Sequence, residues 1–201
     1  MTKIEIIRRV KVLMEELTPF DDGLIVLNSD VKPIESYIEE AIQPALDQLL
    51  IFCPLHLTKA TNLPAMTSVV SGTRKIGYIT IPDDFLRIHT IKINNWEKAV
   101  HRAISTENPE YALQQNPFTR GGSAKPVVAK AEKLEIYTIK EGDTVQKATY
   151  IQRPDIEDLN LNQKLFEPAC HMIASEVLAI FGSKQAEYMA AKAQELIKAE
   201  L

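Results

Sequence analysis

Ile76-Gly77-Tyr78-Ile79-Thr80-Ile81-Pro82-Asp83-Asp84-Phe85-Leu86-Arg87-Ile88-His89-Thr90-Ile91-Lys92-Ile93-Asn94-Asn95-Trp96 decides the fold. Its first run, Ile76, Tyr78, Ile79, Thr80 and Ile81, is β-branched and aromatic, which suits a pleated, half-buried surface. Pro82-Asp83-Asp84 stops that run: proline sets φ for the second position of a turn, and an Asp side chain bonds nearby backbone. Phe85 and Leu86 re-enter the core. Leu86, Ile88, Ile91 and Ile93 then carry a second run to Trp96. The stretch reads as a structural corner and not as a catalytic loop.

Around this corner, from about residue 66 to 151, the apolar period approaches two. Candidate strands are 66–70, 75–81, 86–93, 99–104, 127–131, 134–139 and 145–152. Glu141-Gly142-Asp143 reads as the tip of a hairpin joining the last two. Residues 108–115 read as a short helix with Pro109 in its first turn. Residues 116–126 form the most loop-like segment of the chain. Gly121-Gly122-Ser123 lies there beside Arg120 and Lys125, but a phosphate-cradling loop needs a strand before the glycines, a helix after them and a Lys-Ser/Thr pair. The segment is therefore expected to be a flexible, exposed surface loop, with Pro117, Phe118, Arg120 and Lys125 as a contact arm.

Helical sequence lies on both sides. Residues 2–17 place Ile4, Ile7, Val10, Leu13 or Met14, and Leu17 at helical spacing, and Thr2 and Glu5 have the spacing of a capping box. Arg8, Arg9 and Lys11 read as a solvated helix face. Residues 18–28 read as a loop, with Asp21-Asp22-Gly23 as turn chemistry. Ser29 or Asp30 is expected to cap a helix reaching Phe52, with Ile34, Ile38, Ile42, Leu46, Leu49 and Phe52 on its inner face. Pro44 should kink or split it. Residues 55–65 read as a connector and 156–163 as a polar linker. The next helix uses Phe166, Cys170, Ile173, Val177 and Ile180, with Pro168 tolerated in its first turn. Gly182 reads as its C′ residue and Ser183 as the cap of a last helix using Ala186, Met189 or Ala190, Ala193, Leu196 and Ile197. The expected architecture is α+β: a four-helix bundle from residues 1–65 and 153–201, with a β-rich insertion, 66–152.

The 201 residues suffice for a sizeable core. A net charge of −4 argues against a dedicated nucleic-acid binder, which shows a basic stripe. Cys53 and Cys170 sit in apolar helical contexts and read as buried reduced thiols, since a zinc site needs more ligands at close spacing. No signal peptide is visible at the N-terminus, and the apolar runs are too short to span a membrane. His56, His89, His101 and His171 are not paired at ligand spacing. No nucleophile elbow, HExxH, dinucleotide glycine motif or EF-hand loop is present. The residues give no positive sign of an enzyme, a metal or a cofactor.

Three stretches carry a resemblance. Tyr78-Ile-Thr-Ile-Pro-Asp-Asp-Phe-Leu-Arg-Ile88 leads towards Trp96, Ala148-Thr-Tyr-Ile-Gln-Arg-Pro154 holds a Tyr-x-x-Arg-Pro, and Leu165-Phe-Glu-Pro168 opens a helix that returns as an Ala-rich one. In this order they resemble the head–tail connector or adaptor proteins of tailed, short-tailed bacteriophages, the tail tubular protein A type. The segment from about Lys98 to Lys133 departs from that pattern. The resemblance implies a structural virion protein, made in the host cytoplasm, whose copies form a ring, a dodecamer, below the portal. It implies contacts with the portal and with downstream tail or ring proteins. Genomic DNA would pass through the channel without specific binding, and no membrane would be involved. The expected contacts are the 116–126 arm and the last helix near Leu196 and Leu201. Alternatives are a tail ring protein further from the portal, a phage-related regulatory or DNA-binding module using Arg8, Arg9 and Lys11, and an enzyme assembled from His89, His101 and Asp83.

Overall fold

Thr2 and Glu5 start the first helix by satisfying each other's backbone. The Thr2 amide donates to Glu5 Oε2 at 2.7 Å, and the Glu5 amide donates to Thr2 Oγ1 at 3.3 Å, the reciprocal capping box. The structure is a computed structural model and describes residues 2–17, 32–71, 74–116 and 118–200. In chain order its elements begin with α1 (Lys3–Leu17), α2 (Ile34–Phe52), β1 (Thr61–Asn62), β2 (Thr67–Ser71) and β3 (Arg74–Thr80). Next come β4 (Phe85–Ile93), β5 (Ile104–Ser105), α3 (Pro109–Gln115), β6 (Val128–Lys130) and β7 (Lys133–Ile136). The last are β8 (Val145–Gln152), α4 (Phe166–Ile180) and α5 (Gln185–Lys198). The protein is α+β. It divides into two compact units, Met1–Lys59 with Pro154–Leu201, and Ala60–Arg153.

In the helical unit, α4 packs against α1, α2 and α5. It can do so because Pro168, Ala169, Cys170, Ile173, Ala174, Val177 and Leu178 are all buried, a mixture of small and branched side chains that fills several faces at once. The expected stripe holds at Cys170, Ile173 and Val177, but Ile180, at the helix end, is exposed. Arg9 of α1 grips Glu167 of α4 from Nε and Nη2 at 3.1–3.2 Å, and the Ser175 hydroxyl donates to the Ala186 carbonyl of α5. Between α4 and α5 the amide of Gly182, at φ 66°, donates to the Ala179 carbonyl, and that of Ser183 to the Leu178 carbonyl. This Schellman closure needs the left-handed conformation that glycine adopts freely. The Ser183 hydroxyl then accepts from the Gln185 amide at 3.3 Å.

Three expectations for this unit need correction. The buried stripe of α1 is Ile6, Val10, Leu13 and Met14, while Ile4 is 75% exposed. Counting i, i+4, i+7, i+8 from Ile6 gives the truer helical face. α2 runs through Pro44 as one helix and starts after Pro33. The proposed caps Ser29 and Asp30 and the Asp21-Asp22-Gly23 turn lie outside the described residues. Finally, Phe52 is 77% exposed, not in the core, because the inner face ends on Leu46, Leu49, Leu50 and Cys53, again at i, i+3, i+4, i+7.

The β unit holds two sheets, ordered β1-β8-β4 and β2-β3-β7-β6-β5. β3 and β4 therefore belong to different sheets, and Pro82-Asp83-Asp84 is the corner between them, closed by the Phe85 amide donating to the Pro82 carbonyl at 3.1 Å. Ile79, Ile88, Ile91, Ile93, Trp96, Leu134 and Ile136 fill the core, each worth about 1.5–3 kcal/mol of burial. The Trp96 indole N–H reaches the Thr138 carbonyl at 2.8 Å. The corner is also fixed to the end of β8. Asp84 accepts the Tyr150 hydroxyl at 2.8 Å on its carboxylate and the Arg153 amide at 2.6 Å on its carbonyl, while Phe85 stacks on Tyr150 at 5.7 Å. Two of the three stretches that carried the resemblance thus meet in space.

The turn at Glu141-Gly142-Asp143 forms, but it joins no hairpin. β7 pairs with β3 and β6, and β8 pairs with β1 and β4, so the chain crosses from one sheet to the other. The strand expected over 99–104 reduces to a bridge between Val100 and Ile91, followed by β5 pairing in parallel with β6. The 55–65 connector contains β1, which is why the unit boundary falls at Lys59–Ala60 and not at 65.

Candidate functional site

Hydrogen bonds hold the described residues of the 116–126 segment. Asn108 caps α3 by accepting the Glu110 amide at 2.9 Å, and α3 then delivers Gln114, 5% exposed, beneath the loop. The Gln114 Oε1 accepts the Gly121 amide at 2.9 Å, and the Thr138 hydroxyl donates to the Gly121 carbonyl at 2.7 Å. Asn116 closes the near end: its Oδ1 accepts the Phe118 amide at 3.0 Å, and its carbonyl accepts the amides of Thr119 and Arg120. The Glu97 amide donates to the Ser123 carbonyl at 3.0 Å. At Gly121 any Cβ would collide with the Lys125 backbone oxygen, so only glycine fits this close approach. Tyr111 of α3 and Tyr137 both donate to Glu135 Oε2, at 2.9 and 2.7 Å, and anchor α3 to the sheet. Burial, and then this bond, raises the Tyr137 pKa.

On that platform Phe118 stands 95% exposed. Arg120 is half-buried and Lys125 exposed. Pro117 lies outside the described residues, as does Leu201. Of the residues expected to form an arm, Phe118 and Lys125 are thus exposed and Arg120 half-buried, on a loop tied to Gln114 and Thr138 through Gly121.

Leu196 is half-buried and lines a groove of about 1010 Å³ with Arg8, Val12, Phe166 and Pro168. Two ion pairs, Arg9–Glu167 and Lys164–Glu200, stand among its lining residues. Lys11 pairs with Glu35, so two cations of the Arg8, Arg9, Lys11 group bind other helices. A second groove, of about 490 Å³, lies between α2 and α5, walled by Leu49, Phe52, Pro54, Met172 and Ile197. Sequence reasoning missed it because Phe52 was assigned to the core.

Among the described residues the histidines and cysteines fall into separate surroundings. His89 and His101 approach the Thr90 hydroxyl at 2.9 and 3.5 Å, and His101 Nδ1 donates to the His89 carbonyl. Strand pairing thus brings together two histidines separated in sequence, while Asp83 lies exposed in the corner. His56 and His171 bond the carbonyls of Glu200 and Glu167. Cys170 is buried, as is Cys53, whose thiol reaches the Leu50 carbonyl at 3.8 Å. Burial, then the Glu167 charge, pushes the Cys170 thiol up to about 12. Among the described residues no three His, Cys, Asp or Glu gather at metal-binding distance, and no helix is long and apolar enough to cross a membrane. Neither protein-family models nor curated proteins give a match to this chain.

Proposed function

We propose that this chain is a structural subunit of a tailed, short-tailed bacteriophage particle. In this reading its copies close into a ring, about a dozen strong, below the portal at the head–tail junction. The ring extends the DNA channel and docks the tail. The helical unit serves as a four-helix bundle that carries the β-rich insertion. The portal and the downstream tail proteins are its neighbours, and DNA passes without specific binding.

One observation carries the reading: an aromatic side chain, Phe118, held almost fully in water on a loop whose backbone is hydrogen-bonded to Asn116 and to the buried Gln114. Such a side chain contributes little to this chain's own stability, and a loop that presents it is placed for contact with another chain. A closed ring needs heterologous contacts, which protruding loops and helix faces can supply without a binding pocket.

The test is quantitative mass spectrometry of purified virus particles from the source, scaled to the capsid protein. About a dozen copies per particle, a closed-ring number, is the expected result. Absence from particles that contain portal and tail proteins would sink the proposal.

A further inference from the structure

We propose that Phe118 of one copy seats in the apolar groove between α2 and α5 of a second copy, forming a head-to-tail contact. The anchor half of this contact is already described: a ring 95% exposed on a pinned loop. Because hydrogen bonds at Asn116 and Gly121 already hold the loop backbone, binding loses less freedom there. Aromatic anchors seated in pockets carry most of the energy of an interface.

The socket is the groove of about 490 Å³ walled by Leu49, Phe52, Pro54, Met172 and Ile197. Phe52, 77% exposed, offers a ring for an edge-to-face pair, and Met172 offers a thioether, which packs well against aromatic edges. Among the described residues its one charged lining group is Lys198, whose stem can lie along an apolar wall with its head in water. The larger groove is a poorer seat. An aromatic ring pressed against Arg9–Glu167 and Lys164–Glu200 would strip water from charges and return no hydrogen bond. Anchor and socket occur on one chain, so every copy offers both, as a contact passed in one direction from copy to copy, the heterologous geometry, requires. The inference deepens the assembly reading and rests on it for its setting, but the two are tested apart.

Because Cys53 and Cys170 are buried, Thr119→Cys, beside the anchor, and Gln48→Cys, on the groove wall, each add an accessible thiol while leaving Phe118 and Phe52 in place. The two single variants are mixed at high protein concentration under mild oxidation. The expected product is a covalent dimer of one with the other, far above the collisional background of either alone. In parallel, sedimentation of the full chain should show mass rising with concentration. Phe118→Asp should weaken that association at least tenfold while leaving the melting temperature unchanged. A chain that stays monomeric at millimolar concentration overturns the contact, as does association that ignores Phe118→Asp or cross-linking no greater in the mixture than in the single variants. Phe118-dependent association by a chain missing from particles would keep the contact and overturn the ring. A normal copy number in particles built with Phe118→Asp would do the reverse.

Discussion

Two short stretches of this chain use nearly the same vocabulary. Pro82-Asp83-Asp84-Phe85 and Asn116-Pro117-Phe118-Thr119 each set a proline and a phenylalanine in polar turn sequence. Phe85 turns inward, half-buried, stacks on Tyr150 and takes the Lys130 ammonium on its ring at 5.1 Å. Phe118 turns outward and is 95% exposed. In both, local side chains close the turn. What differs is the long-range partner: β8 waits beside the first stretch, whereas at the second Gln114 and Thr138 hold only backbone and leave the ring free. Turn chemistry fixes the bend, and the neighbours decide which way the aromatic faces.

The contrast can be broken from either side. Phe85→Ala should cost most, about 2–3 kcal/mol in urea unfolding, less than a fully buried Phe because the ring is only half covered. Gly121→Ala comes next, at about 1–3 kcal/mol, since a Cβ must displace the Lys125 carbonyl. It should also loosen the loop, seen as faster amide exchange at Phe118 and Gly121. Asp84→Ala should cost about 1–2 kcal/mol by leaving the buried Tyr150 hydroxyl without its acceptor. Phe118→Ala should lie within about 0.5 kcal/mol of wild type. A loss as large as that of Phe85→Ala would mean that Phe118 supports the fold.

The first stretch also has a pH signature. Burial, and then the bond to Asp84, pushes Tyr150 up to about 12, against about 10 in an unfolded chain. The folded state holds this proton more tightly. Its contribution is therefore complete below about pH 10 and is lost as pH rises towards 12. Thermal melts of Tyr150→Phe should decline less steeply across that window than those of wild type.

What was legible in the sequence was local. Thr2 with Glu5, and Gly182 with Ser183, each act over two to five residues, and the structure uses both sets. Strand partnership was not legible, because a period of two says which residues share a face and not which strand lies alongside. Hence β7 and β8 read as a hairpin although they belong to separate sheets. At the candidate site, loop composition pointed to Phe118, Arg120 and Lys125. It did not reveal that a buried glutamine on α3 would fix the loop. Phe52 was misread because a step of three from Leu49 was counted on the same face, whereas the buried face steps by four to Cys53 and leaves Phe52 to one side.

The central helix of the helical unit, α4, is also among the last parts of the chain to be made. On the ribosome α1 and α2 emerge first, then all of Ala60–Arg153, which at about 5–20 residues per second occupies roughly 5–20 s. Throughout that interval Ile6, Val10, Ile38, Ile42 and Leu46 have no α4 to cover them. The nascent chain must therefore carry a bare greasy surface while its middle folds, which makes it a natural client for chaperones that shield apolar segments during synthesis.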